Sequence, residues 1–193
     1  MGVRKTNPEA VVKVIRLGYT ADAEKRRQAA SKLIDEGADI LTLDPAMPEP
    51  IEVAESEGLY SIGSGSDMKA YGGESVLTST VWDWKPFFEK KIESAREGTL
   101  QGDSLWGGVK TGIVKLTELS PEVPEDVRSL VESEQKKLES GERDVFDAPV
   151  TYQVGEKSSE TTHTRTDLNR TDLLNMRDEM DMYNFLLEPT FSP

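Results

Sequence analysis

GLYSIGSGSDMKAYGGESVLTSTVWDWKPFF, residues 58 to 88, is the stretch on which the fold of this 193-residue chain turns. The apolar run Leu59, Tyr60, Ile62 stops at a glycine- and serine-rich turn ending in Asp67. The run Val76 to Val81 stops at Trp82, Asp83 and Trp84. Two β-prone runs bounded by turn residues read as strands. If they lie parallel in an α/β sheet, each turn sits at a carboxyl end, where open sheets of this class bind ligands. An acid and an aromatic plate then share one crevice.

Upstream, residues 11 to 17, VVKVIRL, are rich in β-branched residues and end at Gly18, which predicts a first strand after a polar entry. Thr20 or Asp22 can cap a helix over about residues 22 to 36, stopped by Gly37, and ADILTL makes a second strand. The turn Asp44 to Pro50 and a short helix over 51 to 57 lead to the third strand at Leu59. Strand, helix, strand, helix, strand in this order is the pattern of a mainly parallel sheet. Downstream, residues 68 to 75 read as a loop and 84 to 97 as a helix, with Asp83 as its N-cap and Pro86 in its first turn. GIVKL (112 to 116) is a short strand, and residues 124 to 140 form a charged helix ending at Gly141. DVFDAPVTYQV (144 to 154) suits one more strand, and residues 155 to 170 are polar and read as loop or disordered. Leu173 to Leu187 has helical spacing.

Composition removes several functions. The formal charge of −13 argues against a nucleic-acid phosphate surface, which needs clustered Lys and Arg. The acid is spread along the chain, the pattern of a solvated, mutually repelling surface and of an acid-rich, salt-adapted proteome. There is no cysteine, and His163 is the only histidine, so disulfides, thiolate sites, a Ser-His-Asp triad and a multi-histidine metal site are not expected. No cofactor is implied. The start, MGVRKTNPEA, lacks the apolar core of a signal peptide, and no run approaches the roughly 20 apolar residues of a membrane span. The chain as written carries no export address, so a cytoplasmic location is expected if it is expressed in this form.

The four predicted strand ends present Tyr19, Asp44, Asp67 and Trp82 to one edge. Asp67 can accept hydrogen bonds from a ligand amino or hydroxyl group, or serve equally as a turn or capping aspartate. Trp82 can stack on a planar ring, whereas Trp84, Phe87 and Phe88 are expected in the core between sheet and helix. Trp106, beside Gly107 and Gly108, reads as a structural plate over a tight turn. Gly63-x-Gly65 after a strand is a poor dinucleotide fingerprint, because Met68 stands at the third glycine position and the turn has no basic residue. No acid pair is marked as catalytic, so an enzyme is not expected.

In order and wording, KLIDEGADIL, EGLYSIGSGSDM, LTSTVWDWKPFF, SLWGGVKTGIVKL and SPEVPEDVRSLVESEQKKLESGERDVF resemble the basic membrane lipoprotein (Med) family of ABC-transporter substrate-binding proteins. The resemblance runs from about residue 2 to 150 and continues faintly to TDLLNMRDEMDMYNFLLEP. It implies one lobe of a type I periplasmic-binding-protein fold: a three-layer α/β lobe with returning hinge segments over 1–150 and a polar loop with a helical extension over 151–193. The first lobe, signal peptide and lipid-attachment cysteine of full-length relatives are expected to be absent. Such relatives work outside the cytoplasm at the membrane and pass a purine base or nucleoside to an ABC permease. Asp67 in SDM would be a polar ligand contact and Trp82 in VWDW an aromatic one. Nucleoside-binding relatives often have a lysine where Trp82 stands, positioned for ribose hydroxyls; a tryptophan suits a bare base. Where the family usually has histidine, threonine and aspartate, this chain has Asp44, Pro45 and Ala46.

The reading is a non-enzymatic solute-binding lobe of an importer for a purine-like solute, in truncated form. The rivals are a remnant without binding activity, an intracellular ligand-sensing module on the same lobe, and a small α/β enzyme. With its other half missing, the lobe is expected to expose apolar faces at Val127, Val131, Leu173, Leu174 and Met180, and to self-associate.

Overall fold

The computed structural model describes residues 2–15, 17, 22–43, 47–102 and 107–143, together with the backbone alone of 4–5, 150–154 and 161–165. Tyr19, Asp44, Trp106 and the expected helix from Leu173 to Leu187 lie outside the described residues. The chain forms two compact units, one of residues 21–143 and one of residues 1–20 with 144–193.

In the second of these units a short helix, α1 (Gly2–Thr6), opens the chain. The strand expected at 11 to 17 is absent among the described residues: Val11 to Ile15 and Leu17 belong to no ladder, and Val11 is 77% exposed. β-branched residues favour an extended backbone, but a strand exists only where a neighbour takes its hydrogen bonds.

The unit of residues 21–143 begins with α2 (Ala23–Asp35), whose N-cap Asp22 accepts a hydrogen bond from the Lys25 backbone N–H at 3.2 Å. Gly37, at φ 90°, lets the chain turn off the helix end. β1 (Ile40–Thr42) follows, then α3 (Glu49–Ser56) with Pro50 in its first turn, and β2 (Tyr60–Gly65). Where a loop was expected the chain forms α4 (Lys69–Gly72) and a 3-10 turn (Gly73–Ser75) before β3 (Val76–Trp82). α5 (Lys85–Arg96), a 3-10 turn (Val109–Thr111), β4 (Val114–Leu116) and α6 (Glu125–Ser140) complete it.

The sheet order is β1-β2-β3-β4, with the first three strands parallel and β4 antiparallel to β3. This is the mainly parallel α/β lobe that the strand and helix alternation predicts. One face carries the core. Leu41 of β1 packs with Ala30 of α2 and Ala54 of α3, flanked by Leu33, Ile34 and Leu59. A second cluster joins Ile51 of α3 to Met68 and Val76. On the other face, Ile40 and its register partner Tyr60 are exposed. Arg26 of α2 binds Glu49 of α3 through two hydrogen bonds of 2.8 Å, with both side chains largely buried. Paired in this bidentate way, the two charges tolerate burial and fix how the helices meet.

β4 holds β3 beyond the formal ladder. Thr117 Oγ1 accepts from the Ser79 backbone N–H at 2.8 Å, and the Thr117 carbonyl accepts from Thr78 Oγ1 at 3.0 Å. Ser120, buried, donates its hydroxyl to the Glu74 carbonyl at 2.6 Å and accepts Arg128 on its own carbonyl at 2.9 Å.

Two expectations about packing fail. Trp84 is 48% exposed and Phe88 57% exposed, so neither is a core plate. No residue of α5 is fully buried, and Trp84, Phe88 and Ile92, spaced by four, form one outward side. Their ring contacts are local: Phe87 meets Trp84 edge-on at 6.3 Å and Phe88 at 5.3 Å, with Lys91 Nζ 5.7 Å from the Phe87 ring centre. α6 likewise has no fully buried residue: Val127 is exposed as expected and Leu130 with it, whereas Val131, also expected to be exposed, is half-buried.

In the unit of residues 1–20 and 144–193, β5 (Val150–Val154) is the described part of the strand read at 144 to 154. The polar tract after it is not all loop, because β6 (Thr161–Arg165) pairs antiparallel with β5 from Val150↔Arg165 to Val154↔Thr161. Threonine is β-branched and suits an extended strand, and without an apolar alternation nothing in the sequence marks the pairing.

Candidate functional site

The carboxyl edge of β2 is built by close packing behind an exposed acid. Gly63 has no room for a side chain: a Cβ there would stand 2.3 Å from Ser79 Oγ and 2.7 Å from Met68 Cγ. Met68 is folded back into the core, and its backbone N–H donates to Ser79 Oγ at 3.1 Å. Gly65, at φ 81°, takes the left-handed conformation that turns the chain out of the strand. These roles account for the glycines without any nucleotide fingerprint. Asp67 is left exposed, with Oδ1 accepting from the Lys69 backbone N–H at 3.0 Å, so it is a turn-capping aspartate at one oxygen. Oδ2 takes no hydrogen bond among the described residues.

Trp82 ends β3, 53% exposed and paired with Val114 of β4. Because Gly65 is in register with Val81, Asp67 and Trp82 both leave the same edge of the sheet, on strands about 4.8 Å apart. The structure therefore brings these two expected residues to one edge; Tyr19 and Asp44 are not described. β4 is antiparallel, so its start lies on this edge too. The turn before it, from Gly107 to Gly112, is a neighbour of the strand ends, and Asp83 donates its backbone N–H to the Ile113 carbonyl at 2.7 Å.

The sequence reading made Asp83 the N-cap of α5; the N-cap is Trp84, and Asp83 stands one residue before it. Its Oδ1 does accept from the Lys85 backbone N–H at 3.0 Å, but Oδ2 also accepts Lys115 Nζ at 2.6 Å. The Lys115 hydrogen bond, with help from the Lys85 N–H, holds the Asp83 carboxyl below the usual aspartate range. Lys115 was missed because its partner lies across the sheet, 32 residues away. Only knowing that GIVKL pairs antiparallel with TSTVW would have shown it.

Among the described residues no group of three or more His, Cys, Asp or Glu side chains is placed to hold a metal ion, and no helix is long and apolar enough to cross a membrane. What the edge offers is an exposed acceptor at Asp67 and an exposed aromatic ring at Trp82, with the Asp83–Lys115 ion pair on the opposite face from the ring.

The mainly parallel α/β lobe is shared with solved ABC transporter solute-binding proteins. Residues 1–143 match the family described as ABC transporter substrate-binding protein PnrA-like, and the chain belongs to it. The resemblance carried by SDM, VWDW and WGG is thus borne out. A protein of Haloferax volcanii named as an ABC transporter glucose-binding protein, TsgA13, is 35% identical over 146 residues, which are 76% of this chain and 37% of that one. A purine-binding protein of Brucella abortus is 33% identical over 155 residues, 80% of this chain and 44% of its own length. The solved ABC transporter solute-binding protein of Conexibacter woesei superposes with a TM-score of 0.59 at 26% identity, covering 75% of this chain and 49% of that one. The chain thus spans less than half the length of each.

Proposed function

We propose that this chain is the solute-binding lobe of an ABC importer's binding protein and that it takes a small planar solute of the purine-base class. The observation that carries the proposal is the common edge of Asp67 and Trp82. The exposed indole stacks on the face of the base, and the outward oxygen of Asp67 accepts from an exocyclic amino group or a ring N–H. Tyr19 and Asp44, which lie outside the described residues, are kept from the sequence as further candidate contacts. The chain performs no chemistry on the solute; its partners are the solute and, if full length, an ABC permease that it meets on the extracytoplasmic side of the membrane.

The names of the relatives point to a sugar in one case and a purine in another. The exposed face of Trp82 can stack on a planar base, which favours the purine. One lobe covers one face of the ligand, whereas two-sided pockets bury about 70 to 90% of theirs, so binding by this chain is weak. Titrating the full chain with adenine, followed by tryptophan fluorescence, tests the proposal. Adenine should quench saturably, and glucose at the same concentrations should not. Trp82→Ala should remove most of the quench and weaken binding by about 1 to 3 kcal/mol, the usual worth of a stacked base. Saturable glucose binding that Trp82→Ala leaves unchanged overturns it.

A further inference from the structure

Trp82 stands where an extended strand becomes a helix within two residues, which is a junction prone to fraying. Its backbone is held on one side by pairing with Val114. The next residue is held three ways: the Asp83 N–H donates to Ile113 at 2.7 Å, Oδ1 accepts from Lys85 N–H at 3.0 Å, and Oδ2 accepts Lys115 Nζ at 2.6 Å. Lys115 is in register with Val81, so it stands on the same face as Asp83, while Trp82 alternates to the opposite face. The pair thus clamps the junction from behind the ring and ties three elements, the end of β3, the start of α5 and β4. Both side chains remain partly exposed, at 47% for Lys115 and 30% for Asp83, so a role in global stability is small.

We propose that Asp83 and Lys115 are the positioning residues of this edge: their ion pair fixes the junction from which Trp82 presents its ring, and so sets how well a planar solute stacks there. The inference rests on the stacking role proposed for Trp82, yet it has a readout that needs no ligand. In the full chain labelled with 5-fluorotryptophan, the Trp82 fluorine resonance is assigned by its loss in Trp82→Phe. Lys115→Met should shift or broaden that resonance and weaken adenine binding about three- to tenfold, the scale of coupling between contacting residues. Its thermal midpoint should move by less than about 2 °C, because the pair is exposed. Asp83→Asn keeps an acceptor for the Lys85 N–H and loses the ion pair, so it should behave like Lys115→Met. Lys115→Arg should restore most of the signal and the affinity. A Trp82 resonance unmoved in both Lys115→Met and Asp83→Asn overturns the proposal, as does a fallen thermal midpoint with that resonance unmoved. If wild type fails to bind adenine, the functional reading falls, and the fluorine spectra still decide whether the pair positions Trp82.

Discussion

Gly63→Ala is the substitution whose cost can be worked most directly from the packing behind the candidate site. The new methyl would lie 2.3 Å from Ser79 Oγ, 2.7 Å from Met68 Cγ and 2.8 Å from Met68 Cβ, where no real carbon sits. Ser79 and Met68 are themselves buried, so neither can swing into solvent. Overpacking of this kind costs about 1 to 3 kcal/mol. Displacing Ser79 also breaks the hydrogen bond it accepts from the Met68 N–H, adding about 1 kcal/mol. The alanine offsets about 0.4 to 1 kcal/mol by restricting the unfolded chain. The net loss is about 1 to 3.6 kcal/mol, which at an m-value of about 2 kcal/mol/M lowers the urea midpoint by about 0.5 to 1.8 M. Gly102→Ala is the control, since nothing lies within 4 Å of its Cβ. It should stay within about 0.5 kcal/mol of wild type. Circular dichroism against urea measures both. If Gly63→Ala unfolds at the midpoint of Gly102→Ala, the close packing of β2, Ser79 and Met68 is wrong, and the placement of Asp67 falls with it.

Other substitutions and conditions test other parts of the account. Ser61 is fully buried and its Oγ has no hydrogen-bond partner among the described residues, so Ser61→Ala should be neutral or stabilising by up to about 1 kcal/mol in the same urea assay. The Arg26 hydrogen bonds hold the Glu49 carboxyl below its ordinary range, against the opposing effect of burial. A depressed folded value means that this stabilisation is complete above the ordinary glutamate value of about 4.3 and is lost as pH falls through the lower folded value. Glu49→Gln should therefore be less stable than wild type at pH 7 and lose less on acidification, as read from urea midpoints between pH 7 and pH 3. With 36 acidic against 23 basic side chains, self-repulsion should relax as salt shortens the screening length from about 10 Å at 0.1 M to about 3 Å at 1 M. The thermal midpoint should rise over that range, and a fall would contradict a repulsive surface. The exposed Val127 and Leu130 of α6 should drive concentration-dependent association in sedimentation, weakened in Val127→Lys with Leu130→Glu.

The parts of the fold visible in the sequence are those fixed by local chemistry. Asp22, Gly37, Gly141 and Pro86 mark helix ends by capping and backbone geometry, and each sits where that chemistry requires. The β2 and β3 strands were legible because turn residues bound both runs, and their parallel register placed Asp67 and Trp82 on one edge. What was not legible depends on distant partners. VVKVIRL has strand composition without a ladder in Val11 to Ile15, and TTHTR lacks an apolar pattern yet pairs as β6. Trp84 and Phe88 looked like core because aromatics usually are, but they stand on the outward side of α5. Lys115 gave no local sign of its partner Asp83, because the contact exists only once β4 has turned back along β3.

The central claim is that a planar solute binds at the carboxyl edge of β2 and β3. Backbone amide NMR of the full chain titrated with adenine tests it most directly, because each amide reports its own surroundings. The account predicts saturable shifts gathered at Ser64 to Lys69, at Trp82 to Lys85 and in the turn from Gly107 to Gly112, with α2 unmoved. Shifts that gather on α6 or the exposed face of α5 instead, or no shifts at millimolar adenine, would contradict it.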